Sequence, residues 1–183
     1  MYVYNDLAQY DQTTALLEYV VKVHMDHEEM QEELFFAYVR ENKLLKQQNQ
    51  ALQLYKQFQR DVHALWAVES MYLISLNLKF ETKILDIAYL LMLKLMKEPL
   101  FTLDKKFILL YVKVLSKQGK YREALDFIEL KSEFFTDKLE RQAIEADLYM
   151  KSKNPVLTIN VYFNMLRLNS HLSHYVDTMW ETY

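Results

Sequence analysis

The sequence predicts an all-α fold in which helices pair and stack into a right-handed α-solenoid. The 183 residues contain one glycine and two prolines, so few positions favour tight turns or hairpins, while 51% of the residues are hydrophobic and can form a core. Apolar residues recur at i, i+3, i+4 and i+7, which is the spacing of one buried helix face. Similar segments also recur along the chain.

The helical spacing is found in six segments between residue 51 and the last residue, and we expect nine or ten helices in all. The apolar positions that define these faces are Ala51, Leu54, Tyr55 and Phe58; Ile84, Ile87, Ala88 and Leu91; Ile108, Tyr111, Val112 and Leu115; Tyr121, Ala124, Leu125 and Ile128; Ile159, Tyr162, Phe163 and Leu166; and Val176, Met179, Trp180 and Tyr183.

The connections between these segments carry recognisable turn residues. Gly119 lies between two periodic segments, where a left-handed C-cap residue would end one helix. Asn154 followed by Pro155 predicts an N-cap and a first helical residue. Asp137 with Glu140 three positions later predicts a capping box.

A repeat links the last two helix pairs. Gly119 aligns with Lys153 and Ala124 with Thr158, both at a distance of 34 residues. This distance is the tetratricopeptide period, in which a helix–turn–helix unit stacks on its neighbours. We therefore expect four to five tetratricopeptide-like helix pairs in one continuous segment, residues 1–183. The expected packing positions, where small or turn residues allow close approach, are Ala51, Ala88, Gly119, Tyr121 and Ala124.

The charges are unevenly distributed. Residues 1–41 contain nine acidic and two basic residues, although the whole chain has a formal net charge of −3. The densest basic stretch consists of Lys94, Lys97, Lys105, Lys106, Lys113, Lys117 and Lys120. A solvated helix face accounts for such a stretch, and contact with an anionic partner such as ribosomal RNA is the functional alternative.

No catalytic motif is present in the sequence. The chain has no cysteine, no H-E-x-x-H and no G-x-S-x-G motif, and a single glycine disfavours a backbone phosphate loop. Two histidine pairs, His24/His27 and His171/His174, have the i, i+3 spacing of metal ligands. They lie at opposite ends of the expected solenoid, so we expect no metal, no cofactor and no small-molecule substrate.

The sequence also lacks targeting and membrane signals. Its first residues have no basic segment followed by an apolar stretch, as a signal peptide would. Its most apolar run, residues 84–96, is too short to cross a bilayer. We expect a soluble protein without a membrane partner.

Most of the chain, approximately from Tyr10 to the last residue, resembles a known family, and the resemblance is most specific between Phe35 and Ser70. "EELFFAYVRENKLLKQQNQALQLYKQF" and "HALWAVESMYLISL" are similar to the auxiliary subunit of the NatB N-terminal acetyltransferase, which has F-x-AY-x-R, QQ, ALxLYK and WxVxS motifs. The matching residues are Phe35, Ala37, Tyr38, Arg40, Gln47, Gln48, Ala51, Leu52, Leu54, Tyr55, Lys56, Trp66, Val68 and Ser70. "GKYREALD" and "VDTMWETY" resemble later parts of the family pattern, while "QRDVHAL" replaces its Pro-rich stretch.

The resemblance implies a non-catalytic scaffold in the cytoplasm. The family's subunit wraps a small GNAT-fold catalytic subunit and carries it to ribosomes. That partner uses acetyl-CoA to acetylate an initiator methionine followed by Asp, Glu, Asn or Gln. The family's subunit is several times longer, so the resemblance also implies that this chain is a segment of a longer protein.

Three alternatives remain open at the level of the sequence. A generic tetratricopeptide adaptor is disfavoured by Leu109 and Ala143, which stand where a carboxylate-binding clamp would have polar residues. The auxiliary subunit of the related NatA complex is the second alternative. A metal-dependent enzyme built on the four histidines is the third.

Overall fold

The computed structural model describes residues 10–77, 81–99 and 101–168. Within these ranges the secondary structure consists of nine α-helices and one short 3-10 helix, with no β-strand. The helices are α1 Tyr10–Val23, α2 Glu28–Arg40, α3 Leu44–Phe58, α4 Asp61–Asn77, α5 Glu81–Leu95, α6 Lys105–Lys117, α7 Tyr121–Leu130, α8 Lys138–Lys151 and α9 Pro155–Leu168, and the 3-10 helix is Ser132–Phe134. They form two compact units, residues 1–101 with α1–α5 and residues 102–183 with α6–α9.

In the first unit each helix packs against the next one along the chain. Leu17 and Val21 of α1 form one apolar cluster with three residues of α2, Leu34, Ala37 and Tyr38. A second cluster joins α2, α3 and α4 through Phe35, Ala51, Leu54 and Ala67. Burial of these side chains holds the three helices together, because each fully buried aliphatic or aromatic side chain contributes about 1.5–3 kcal/mol.

In the second unit consecutive helices also pack against each other. Four of the predicted core residues of α6, Ile108, Tyr111, Val112 and Leu115, are buried. Ala146 of α8 packs with Tyr162 and Met165 of α9 in a further cluster.

Three turns between paired helices share one geometry. Asn42, Gly119 and Lys153 have φ angles of 54°, 76° and 57°, in the left-handed region. In each turn the next amide donates to the carbonyl oxygen five residues back, as in Lys120 N to Leu115 O at 2.9 Å. The left-handed residue donates to the carbonyl three residues back in all three turns. This pair of bonds is the Schellman motif, so Gly119 and Lys153 are structurally equivalent, as their alignment predicts.

The predicted caps are found with one difference. The Asn154 side chain accepts from Leu157 N at 3.3 Å, and α9 begins at Pro155. Asp137 accepts from Leu139 N at 2.8 Å. The carboxylate of Glu140 accepts from Lys105 rather than returning to Asp137, so the predicted capping box is only half formed.

On two helices the side that the structure buries differs in part from the predicted side. Ile87 is 55% exposed and Phe163 is 53% exposed, whereas Leu85 and Met165 are buried. Both helices, α5 and α9, carry apolar residues on more than one side, so spacing alone did not identify the inner side. The face predicted from Val176 to Tyr183 lies outside the described residues.

Candidate functional site

The residues that carry the family resemblance meet where α2, α3 and α4 pack together. Phe35 is buried and stacks on Trp66, with ring centroids 4.7 Å apart and planes inclined by 6°. The neighbouring Phe36 meets the same indole edge to face at 5.0 Å. Residues from two separate motifs thus form one aromatic cluster, which fixes α2 against α4.

On another side of α2, three hydrogen-bonded side chains connect this helix to α1 and α3. The Tyr38 hydroxyl donates to Glu18 at 2.9 Å, and Lys46 Nζ donates to the same oxygen at 2.7 Å. The Lys46 hydrogen bond holds the pKa of Glu18 below its usual value. Burial, together with the bond to Glu18, raises the pKa of Tyr38. The tyrosine therefore remains a neutral donor.

The other motif residues lie elsewhere on α2, α3 and α4. Ala37 is buried against α1, and Arg40 is exposed in the last turn of α2. Tyr55 is partly buried, with Lys94 Nζ 5.7 Å from its ring centroid. Gln47 donates to Ser70 at 2.9 Å in a buried contact between α3 and α4.

An ionic cluster that the sequence did not predict joins α2 to the first turn of α4. His63 is fully buried, and its Nε2 lies 2.8 Å from Glu32 and 3.6 Å from Glu28. Arg60 Nη2 lies 2.8 Å from Glu28. Three ligand atoms of Glu28, Glu32 and His63 lie within 4.8 Å of one another, close enough for a cation. Here Arg60 and the imidazole already partner the two carboxylates.

The histidine pairs considered from the sequence lie elsewhere. The rings of His24 and His27 are exposed and meet edge to face at 5.8 Å. His171 and His174 lie outside the described residues. The sequence singled out paired histidines and overlooked His63, whose partners are about thirty residues away along the chain.

Next to the aromatic cluster, α2 and α4 expose two parallel stripes that we call the α2–α4 face. On α2 the stripe consists of Glu29, Glu33 and Phe36, spaced i, i+4, i+7, and all three residues are exposed. On α4 it consists, at the corresponding spacing, of Val62 and Glu69, which are exposed, and of Trp66, which is partly buried. Phe36 and Trp66 touch across the two helices. The face therefore has an aromatic centre flanked by carboxylates.

The basic stretch is divided between the two units. Lys94 and Lys97 are exposed in the first unit, while the other five lysines belong to the second. Lys105 is paired with Glu140. Lys106, Lys113 and Lys117 follow one exposed side of α6, whereas Lys120 is the N-cap of α7.

Three of the expected packing positions are buried. Ala51, Ala88 and Ala124 have no exposed surface. Thr158, which aligns with Ala124, is equally buried, and its hydroxyl donates to Asn154 O at 2.9 Å. Tyr121 is the first residue of α7 and is partly buried.

None of the helices in the described ranges combines the length and the apolar character needed to span a membrane.

The chain matches a known family and is similar to several named proteins. The model of the family described as "Psidin, N-terminal TPR repeats region" matches residues 1–166. The human and rat proteins named "N-alpha-acetyltransferase 25, NatB auxiliary subunit" are each 31% identical over 129 residues, which is 68% of this chain and 13% of theirs. An Arabidopsis thaliana protein named as the NatB complex auxiliary subunit is 30% identical over 143 residues, or 74% of this chain and 13% of the relative. The chain thus spans about an eighth of the length of these relatives.

A solved structure shows the same architecture. A chain in "Structure of Naa15/Naa10 bound to HypK-THB" superposes with a TM-score of 0.75 over 98% of this chain and 27% of its own length, at 14% identity. This likeness confirms the all-α tetratricopeptide-like solenoid as the fold class. The named relatives are auxiliary subunits, which confirms the resemblance seen in the sequence. The chain belongs to the family described as the Psidin N-terminal tetratricopeptide-repeat region, and it is similar to proteins named as NatB auxiliary subunits.

Proposed function

We propose that this chain acts as a scaffold in a NatB-type N-terminal acetyltransferase, where it binds and activates a small GNAT-fold catalytic subunit. The partner, not this chain, would bind acetyl-CoA and acetylate an initiator methionine followed by Asp, Glu, Asn or Gln. The observation that carries the proposal is the aromatic and polar cluster of α2–α4. It is built from the same residues, Phe35, Tyr38 and Trp66, that carry the resemblance to NatB auxiliary subunits.

NatB is favoured over NatA by the relatives. Mammalian and plant proteins that match at 30–31% identity are named as NatB subunits. The Naa15/Naa10 structure matches at 14% identity and supports the fold rather than the choice of complex. A NatA auxiliary subunit and a generic tetratricopeptide adaptor are the alternatives that the experiment below separates.

We also propose that residues 1–183 act as one continuous repeat segment of a longer auxiliary subunit. The family model supports this proposal because its match, residues 1–166, extends over residues of both compact units. We place the complex in the cytoplasm, where nascent chains leave the ribosome.

Ribosome anchoring would use the basic stretch. On α6 the exposed side of Lys106, Lys113 and Lys117 presents three cations at helical spacing, which suits backbone phosphates of ribosomal RNA. Lys105, which is paired with Glu140, also belongs to the proposed set. Lys94, Lys97 and Lys120 complete the proposed set.

The test is affinity purification of the full-length protein followed by identification of what remains bound. A GNAT-fold acetyltransferase should co-purify, and the complex should acetylate Met-Asp, Met-Glu, Met-Asn and Met-Gln peptides, while the chain alone should be inactive. Recovery of a different enzyme, or preference for other second residues, would contradict a NatB role.

Ribosome binding needs a separate measurement. Changing Lys106, Lys113 and Lys117 to Glu should reduce co-sedimentation of the complex with ribosomes, and more so at low salt. A control variant with Lys22, Lys56 and Lys131 changed to Glu has the same net charge. Equal co-sedimentation of both variants would contradict the proposed contact.

A further inference from the structure

We propose that the α2–α4 face docks a positively charged, apolar-bearing segment of the catalytic subunit. This inference rests on the proposed function and adds to it the surface and the chemistry of the contact. The face is the exposed surface of Glu29, Glu33 and Phe36 on α2 and of Val62, Trp66 and Glu69 on α4.

Aromatic residues supply the apolar centre of the face. Phe36 is 40% exposed, and Val62, one turn before Trp66 on α4, is 41% exposed. Phe36 packs edge to face against both Phe35 and Trp66, with centroid distances of 5.3 and 5.0 Å. The ring is therefore held in place by a buried stack before any partner arrives. Aromatic side chains fixed in this way are effective anchors for a protein partner.

The carboxylates of three exposed glutamates flank this centre. The side chains of Glu29, Glu33 and Glu69 form neither an ion pair nor a hydrogen bond with any other described residue, whereas Glu28 and Glu32, on the adjacent side of α2, pair with Arg60 and His63. Glu29 and Glu33 are spaced i, i+4, where like charges repel and destabilise a helix. A cationic partner would remove this repulsion.

The charge decides the class of partner. Three carboxylates against one cation, Arg40 at the end of α2, give the face a negative potential. This potential repels nucleic acid and anionic lipid and attracts lysine and arginine side chains, which speeds association. The apolar centre requires that the cationic segment also carry apolar side chains, as an amphipathic helix or loop does.

The face is rigid as well as charged. The Glu32–His63 contact at 2.8 Å fixes α2 to α4, and the buried Gln47–Ser70 hydrogen bond fixes α3 to α4. Little ordering is therefore required when the partner binds, so that more of the contact energy is retained as affinity.

The test compares the affinity of full-length variants for the purified catalytic subunit. Reversal of Glu29, Glu33 and Glu69 to Lys should weaken binding about tenfold or more, mainly by slowing association, and should lower the salt dependence of the association rate. The control reverses three exposed acids outside the face, Glu98, Asp126 and Glu133, for the same change in net charge. It should leave the affinity within about twofold.

Phe36→Ala provides a second variant, expected to increase the dissociation rate about tenfold with an unchanged association rate. Leu90→Ala, which truncates a 62% exposed residue of α5, is its control. Circular dichroism melting identifies any variant that fails to fold. Equal affinity of the charge-reversed and wild-type chains would overturn the docking surface while leaving the proposed function intact. Failure of the wild-type chain to bind a catalytic subunit would overturn both.

Discussion

Phe35 and Trp66 stack face to face, although 30 residues of chain and a complete helix separate them. Phe35 belongs to α2 and Trp66 to α4, and α3 packs against the same cluster through Ala51 and Leu54. The stack thus supports the joint between two helix pairs rather than one pair alone. Phe36 packs edge to face against both rings of this stack. The stability of the core and the position of Phe36, the proposed anchor, therefore depend on the same two residues.

Phe35→Ala should destabilise the protein by about 3–5 kcal/mol, because it leaves a cavity beside the indole and removes the stacking. Urea unfolding monitored by tryptophan fluorescence measures the loss. Leu45→Ala, at a position that is 58% exposed on α3, should change the free energy of unfolding by less than about 0.5 kcal/mol. Similar losses for both variants would contradict a role for the stack.

Gly119→Ala should cost about 1–2 kcal/mol for the left-handed backbone alone. A Cβ atom at this position would meet no atom within 4 Å, so steric contact contributes nothing. The matched variant is Lys153→Gly, which occupies the equivalent turn with φ = +57° and should leave stability unchanged or increase it. Thermal melts of both variants test the prediction, and a stable Gly119→Ala variant would contradict it.

Ala124→Leu should overpack the joint between α6 and α7 and cost about 1–3 kcal/mol. Ala124 has no exposed surface. The three additional carbon atoms of leucine would therefore have to be accommodated inside the packed interior. The control is Leu130→Ala on the same helix, where the side chain is 70% exposed. An unchanged melting curve for Ala124→Leu would show that this position is not a close contact.

The hydrogen bonds to Glu18 should make stability depend on acid pH. Its pKa is lowered in the folded protein, chiefly by Lys46, so the carboxylate stabilises the fold above its unfolded pKa of about 4.5. That contribution is lost as the pH falls through the lower, folded value. Between pH 6 and pH 3 the wild type should therefore lose more stability in urea than Glu18→Gln. Parallel losses in the two proteins would contradict the prediction, and Glu133→Gln at an exposed position serves as the control.

The sequence predicted the structure best where a local signal, such as a turn residue, determines the backbone conformation. Gly119 adopts the predicted left-handed turn, and Lys153 is its equivalent because the two positions close the same pair of hydrogen bonds. The corresponding turn at Asn42 was missed, since neither glycine nor a 34-residue spacing marks it. The wrong faces at Ile87 and Phe163 have a related cause: helices that are apolar on several sides leave the choice of inner face to tertiary packing.

The candidate site was harder to predict than the fold. The resemblance identified Phe35, Tyr38 and Trp66, but not their partners. His63 and Glu32 are 31 positions apart and Tyr38 and Glu18 are 20 apart, so each pair depends on how helices are placed in space. Composition indicated an acidic amino-terminal part without distinguishing Glu28 and Glu32, which are paired, from Glu29 and Glu33, whose side chains have no partner within the described part of the chain.

The turns at Asn42, Gly119 and Lys153 make the same backbone hydrogen bonds with three different amino acids. The same turn geometry is therefore formed by main-chain groups that every one of these residues possesses. A residue with a side chain can therefore close this turn, although it must adopt the left-handed backbone that glycine adopts at the lowest cost. Repeats of this kind can therefore differ in the amino acid at the turn and still reverse the chain in the same way between two paired helices.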